Sequence, residues 1–279
     1  MPMVYASYNV FSHNVTEIRH AYSQVRERDH PVRMATAGNT SSKGGKNVLI
    51  VYAHPKPESF NGALLRKAVE VLSSEGHNVV VSDLYKMNFD PLVRLEDFSV
   101  SDSGPSDVSR DVQEEVDKVE KADLVVFQFP LYWSSFPAIL KGWMDRVIQV
   151  ISGFVRKTGF YEEGDLRVRG KRALLSFTTG SPSIPVKSLE AMLLPMQARS
   201  LLLAEDVRRR TSHVVGTLNM VGFDVLTPQV SLGVENGTEE KLKQYLADWA
   251  GRLSTVFEEP TPEMLTVDTW AKKHSVVSE

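Results

Sequence analysis

The run Leu124-Val125-Val126-Phe127-Gln128-Phe129-Pro130-Leu131-Tyr132-Trp133 constrains the fold more than any other segment of this chain. Its first half is a continuous apolar stretch of strand length, and a helical pattern opens near Pro137. A buried strand therefore delivers two large aromatics, Tyr132 and Trp133, into a loop at its own C-terminal end. In an open α/β sheet that edge is where ligands bind. Taken alone, the pair could equally be core aromatics at a strand end.

The rest of the chain repeats the strand-then-helix order. Val48 to Ala53 reads as a buried first strand, followed by helical spacing at Leu64, Leu65, Ala68, Val69 and Leu72 that stops at Gly76. Val79-Val80-Val81 reads as a second strand. The polar stretch 99–109 leads to a charged helix marked by Val108, Val112, Val116 and Val119. The third strand spans 124–129. The helix after it carries Ile139, Trp143, Val147 and Ile151 on one stripe and Leu140, Met144 and Ile148 on the next. That arc is wider than one sheet face needs, which suits either a deeply buried helix or one that also meets a partner subunit. Ala173 to Thr178 reads as a fourth strand, Phe223 to Leu226 opens a fifth, and residues 238–257 form a closing amphipathic helix. Five β-α units in series imply an α/β fold: a doubly wound, five-stranded parallel sheet with helices on both faces.

Residues 1–45 are polar and close on small turn formers (Gly38, Ser41, Ser42, Gly44, Gly45), so a flexible extension is expected there. Glu17, Glu27 and Asp29 argue against a mitochondrial presequence, and the opening lacks the apolar core of a signal peptide. The fold is expected over 46–259, with an irregular tail over 260–279. With a net charge of -3, nothing global points to nucleic acid or an anionic membrane. The chain has no cysteine, which removes disulfides, thiolate zinc sites and cysteine nucleophiles and fits a cytoplasmic protein. No apolar run reaches membrane-spanning length.

Three loops at strand ends carry the chemistry. After the first strand, His54-Pro55-Lys56-Pro57-Glu58-Ser59-Phe60-Asn61 has no glycine-rich cradle, so neither the Rossmann nor the P-loop pattern applies. Ser59 or Asn61 can cap the next helix, whose free N–H groups would accept a phosphate. Tyr132 and Trp133 offer a wide π surface. Thr178-Thr179-Gly180 ends the fourth strand in small residues whose backbone N–H groups can meet the polar edge of a ring. A phosphate cap, an aromatic wall and a polar backbone edge on one sheet edge suit a nucleotide with a tricyclic ring, such as a flavin.

At these residues the chain resembles the NAD(P)H:quinone oxidoreductases. The segments that carry the resemblance are the first strand through Ser59-Phe60-Asn61, Ser82-Asp83-Leu84-Tyr85-Lys86-Met87-Asn88-Phe89, FQFPLYWSSFPAILKGWMDR at 127–146, and Thr178-Thr179-Gly180. The Tyr-Trp form of the third loop is closer to the dihydronicotinamide riboside:quinone reductase branch. The resemblance implies a flavodoxin-like homodimer with FAD at the interface, taking hydride from a reduced nicotinamide and passing two electrons to a quinone. On that footing His54, Ser59, Phe60 and Asn61 would hold the FAD phosphates, and Pro130, Leu131, Tyr132 and Trp133 would line the isoalloxazine. Thr178, Thr179 and Gly180 would bind its polar edge, and Trp133, Phe160 and Tyr161 would line the substrate pocket. No catalytic side chain is assigned and no metal is expected, since Asn219 stands where some members place a histidine ligand. After Gly180 the chain departs from the family: Ser181 to Lys187 holds no tyrosine or histidine, and 198–215 is an insertion with Arg208-Arg209-Arg210. These departures leave a flavin-binding but catalytically impaired regulatory or interaction protein as one alternative, and an FMN-dependent azoreductase or flavodoxin-type carrier is a separate one.

Overall fold

The computed structural model describes residues 44–98, 108–133, 135–152, 168–182, 218 and 221–261. Its strands are β1 (Asn47–Tyr52), β2 (Asn78–Asp83), β3 (Leu124–Pro130), β4 (Arg172–Thr178), β5 (Asp224–Val225) and β6 (Gln229–Ser231). The helices are α1 (Phe60–Ser74), α2 (Arg110–Lys121), α3 (Ala138–Trp143), α4 (Gln149–Ser152) and α5 (Glu239–Leu253). A π turn, Met144–Ile148, joins α3 to α4. The sheet order is β2-β1-β3-β4-β5, with β6 also paired to β4, and every pairing is parallel.

The fifth strand expected from Phe223 is thus one edge position in two pieces. Asp224 and Val225 pair with Arg172 and Ala173, and Gln229 to Ser231 pair with Ser176 to Thr178. Pro228 between them has no N–H for a ladder, which is tolerable on an edge strand and breaks it there. Counted by position the sheet is five strands wide, as the sequence implies; counted by segment it has six.

Alternation along the strands splits the core into two layers. Leu49, Val51, Val125, Phe127 and Leu175 face α2 and α3, meeting Val112, Val116, Val119, Trp143 and Val147. Val48, Ile50, Leu124, Val126 and Leu174 face α1 and α5, meeting Leu64, Ala68, Leu72, Trp249 and Leu253. Both apolar stripes of the 138–152 helical segment lie buried within the chain: Trp143, Val147 and Ile151 on one, Leu140, Met144 and Ile148 on the other. Packing within the chain buries most of that wide arc, with Ile139 half-buried at its start.

The path between β2 and α2 is braced from α3. Pro91 crosses the helix at Gly142, where an added Cβ would stand 2.4 Å from the Pro91 Cα. One turn on, the π turn directs Arg146 inward with no exposed surface. Its five N–H donors are all matched: two go to Asp97, one to the Asp90 carbonyl, one to Asp111 and one to Ser109 Oγ, at 2.8–3.2 Å. The guanidinium also lies 5.4 Å from the Phe89 ring centroid. Among the described residues no helix is long and apolar enough to cross a membrane.

Candidate functional site

Because the strands are parallel and order reverses between β1 and β3, their C-terminal ends open a crevice at the switch point. The three loops singled out in the sequence meet there. The β1 loop turns at Pro55 to Pro57, closed by a Ser59 N–H to Lys56 carbonyl bond of 3.1 Å. Ser59 is the N-cap of α1, its Oγ accepting from Gly62 N at 3.1 Å. The Ala63 N–H returns to the Ser59 carbonyl, so helix geometry leaves the Phe60 and Asn61 N–H groups for an outside acceptor. His54 is half-buried, with Nδ1 within 3.0–3.1 Å of the Lys56 N–H and carbonyl. Burial holds its pKa below the usual imidazole value, against the raising effect of the hydrogen bond to the Lys56 backbone. When Nδ1 accepts the Lys56 N–H, the ring proton sits on Nε2 and can be donated.

Asn61 does not present its side chain outward. It is 2% exposed, donates through Nδ2 to Thr178 Oγ1 at 2.7 Å and accepts from Gln128 Nε2 at 2.7 Å. What Asn61 offers a ligand is its backbone N–H, while its amide pins the start of α1 to β3 and β4. The Leu131 N–H to Thr178 carbonyl bond of 2.8 Å ties the exits of β3 and β4 together. The site's three walls are therefore locked to one another through Thr178.

After Leu131 the chain makes a tight reversal, with Tyr132 and Ser135 exchanging backbone bonds of 3.1 and 2.9 Å. Trp133 heads it at φ 51°, in the left-handed region that costs a non-glycine residue roughly 1–2 kcal/mol. Its ring is 99% exposed, and Tyr132 is 45% exposed. A tryptophan held in that conformation at the C-terminal edge of a parallel sheet, with its side chain in solvent, is a candidate stacking surface. Pro130 is buried as the last residue of β3 and Leu131 is half-buried beside it.

On the β4 side Thr179 is 6% exposed and committed internally. Its N–H donates to the Ser231 carbonyl, its carbonyl accepts from Val234, and its hydroxyl donates to the Ser181 carbonyl. Gly180 is exposed and lies against Glu235, whose Cδ would be 3.0 Å from an added Cβ. Of the three residues expected at this edge, Gly180 is the accessible one and Thr178 and Thr179 shape its backbone. Phe160, Tyr161, Asn219, most of 181–187 and all of 198–215 lie outside the described residues. Among the described residues no group of three or more His, Cys, Asp or Glu is placed to hold a metal.

Sequence reasoning passed over Tyr52 and Gln128, which sit side by side in the β1–β3 register. A lone amide within an otherwise apolar strand was the signal for Gln128. The Tyr52 hydroxyl, buried at the end of β1, has its pKa pushed up to about 12 by desolvation and so stays neutral at any physiological pH.

This architecture and edge define a flavodoxin-like protein, and residues 46–253 match the family model of the flavodoxin-like fold. The chain belongs to that family. It is 44% identical to the mouse ribosyldihydronicotinamide dehydrogenase [quinone] over 237 residues, covering 77% of this chain and 94% of that protein. It is 35% identical to the guinea pig NAD(P)H dehydrogenase [quinone] 1, over 77% of this chain and 78% of that protein. A Klebsiella pneumoniae crystal structure, of a protein proposed as a quinone reductase, superposes with a TM-score of 0.61 at 32% identity, covering 78% of this chain and 87% of that one.

Proposed function

We propose that this chain is a flavin-dependent quinone reductase that takes hydride from a reduced nicotinamide and delivers two electrons to a quinone. The observation that carries the reading is the convergence at one sheet edge of an uncommitted helix N-terminus, an exposed aromatic wall and an exposed glycine turn, in a chain 44% identical to a quinone dehydrogenase over most of its length. When bound, the flavin supplies the hydride acceptor and donor; the protein supplies position. FAD is the proposed form, and a cytoplasmic homodimer the proposed assembly.

The Phe60 and Asn61 N–H groups and the Ser59 hydroxyl hold the phosphates at the positive end of α1. His54 adds a ring N–H donor whose pKa burial holds below the usual imidazole value. Pro130, Leu131, Tyr132 and Trp133 line the ring, and the Gly180 backbone meets its polar edge beside Thr178 and Thr179. Trp133, with Phe160 and Tyr161, lines the substrate side, where stacking selects flat substrates.

The direct test is the absorbance of the purified protein, with released flavin identified by chromatography. The expected result is FAD that bleaches under anaerobic dihydronicotinamide riboside or NADPH and recovers with menadione. Bound FAD that neither donor reduces would leave a non-catalytic binder, and FMN in place of FAD would correct the cofactor.

Trp133 gives a sharper test, because its two roles move in opposite directions. Trp133→Gly relieves the left-handed strain and is expected to stabilise the flavin-free protein by about 1 kcal/mol. It also removes the stacking surface, so flavin affinity is expected to fall about tenfold. A thermal scan and a flavin titration of the same variant check both; unchanged affinity removes Trp133 from the wall.

A further inference from the structure

Four buried side-chain polar atoms among the described residues complete no hydrogen bond: Tyr52 Oη, Gln128 Oε1, Ser176 Oγ and Ser231 Oγ. All belong to the sheet face beneath α1, by strand alternation and register. Gln128 reaches the candidate site through its bond to Asn61, and Tyr52 sits beside it in the register at the end of β1. Tyr52 is 1% exposed and ends the strand whose loop leads into α1. Its register neighbour Gln128 bonds Asn61 in the first turn of α1, which places the phenol under the Ser59 cap. The Ser59 hydroxyl opposes the effect of burial on the phenol, although no bond of full geometry joins the two. Arg66, Glu58 and Asp83 are its charged neighbours, and none of them completes a bond to it either.

A hydroxyl has one proton to give and two lone pairs to fill. Ser59 Oγ already accepts from the Gly62 N–H, which leaves one lone pair and a rotatable proton. A neutral phenol beneath it has a proton and no acceptor, and a buried donor in that state destabilises the ligand-free fold.

We propose that Tyr52 is a positioning residue for Ser59: its hydroxyl donates into the remaining Ser59 lone pair when a nucleotide binds, and the Ser59 proton is thereby directed to a phosphoryl oxygen. With both lone pairs filled, Ser59 can only donate, and the cap becomes selective for an acceptor-only group such as a phosphate ester. This rests on the flavin-nucleotide reading of the site. Tyr52 makes no contact with the ligand and acts through Ser59 alone.

The experiment uses the full-length protein stripped of flavin, titrated with FAD by fluorescence quenching, with its melting temperature measured before ligand is added. Tyr52→Phe removes an unpartnered buried hydroxyl, so the ligand-free variant is expected to melt at or above the wild-type temperature. Its FAD affinity is expected to fall about tenfold, the loss of one hydrogen bond relayed to a charged group. In a Ser59→Ala background the same substitution is expected to cost no further affinity. The proposal is overturned if Tyr52→Phe binds FAD as wild type does, if the loss persists without Ser59, or if the ligand-free melting temperature drops alongside affinity. A wild-type protein that binds no FAD overturns the flavin reading itself and this proposal with it, and the two failures are told apart by the wild-type titration.

Discussion

Arg146→Ala is expected to destabilise the protein by about 3–5 kcal/mol, the largest effect of any single side-chain truncation considered. The reason is what the truncation leaves behind. Asp97 has no exposed surface and would keep a buried charge with only the Arg94 N–H, at 2.8 Å, donating to it. Asp111 and Ser109 lose a partner as well, but the Asp111 side chain is 40% exposed and rehydrates at little cost. Burial tends to raise the Asp111 pKa, yet hydrogen bonds from Ser109 and Arg146 hold it below the usual carboxylate range. Its share of the stability is therefore present above the ordinary carboxylate pKa and fades as pH falls through the lowered one. The control is Arg146→Met with Asp97→Leu, which removes both buried charges and is expected to recover most of the loss. Urea denaturation of the three proteins decides it. A small effect for Arg146→Ala would mean the Asp97 carboxyl is hydrated or neutral. The consequence reaches the site because α3 begins just after the Trp133 turn, and the segment around Pro91 packs on α3 at Gly142.

None of that network was legible in the sequence, and the reason is physical. Asp90, Asp97, Ser109, Asp111 and Arg146 are spread over 57 positions, the first four in stretches whose polarity reads as solvated surface and Arg146 in a helix marked by its apolar stripes. Only the fold brings them together. Periodicity reports which face of an element is apolar, so the strands, the helices and the two-layered sheet were readable, and the position of the ligand edge followed from strand order. Pairing that depends on side-chain reach was not readable. Asn61 shows the difference: its residue type and place at the start of a helix suggested an outward ligand, while Gln128 and Thr178 draw the amide inward. The edge strand broken at Pro228 is a similar case. Its proline was visible, but the resumption of pairing at Gln229 depends on the length of β4 beside it.

Gly62→Ala is the second large effect, and it reaches the candidate site as well as the fold. The glycine is buried in the first turn of α1, where an added Cβ would stand 1.9 Å from the Pro57 carbonyl oxygen and 2.9 Å from its carbon. Those are backbone atoms of the loop that carries Ser59, and Arg66 holds the same carbonyl by a 3.0 Å bond. An alanine can be accommodated only by moving that loop away from the helix, breaking the bond from Gly62 N to Ser59 Oγ. Overpacking of this kind costs about 1–3 kcal/mol, and loss of the cap adds roughly 1 kcal/mol. Flavin affinity is expected to fall as well, by about a hundredfold, because the donors proposed to converge on one phosphate lose their common geometry. Gly251 in α5 supplies the matched control: a Cβ there meets nothing within 4 Å, so Gly251→Ala is expected to stabilise the protein by about 0.5–1 kcal/mol with flavin affinity unchanged. The two alanines differ only in what stands opposite the new methyl group. Equal effects on FAD titration would mean that the close packing of Pro57 on α1 does not set the phosphate site.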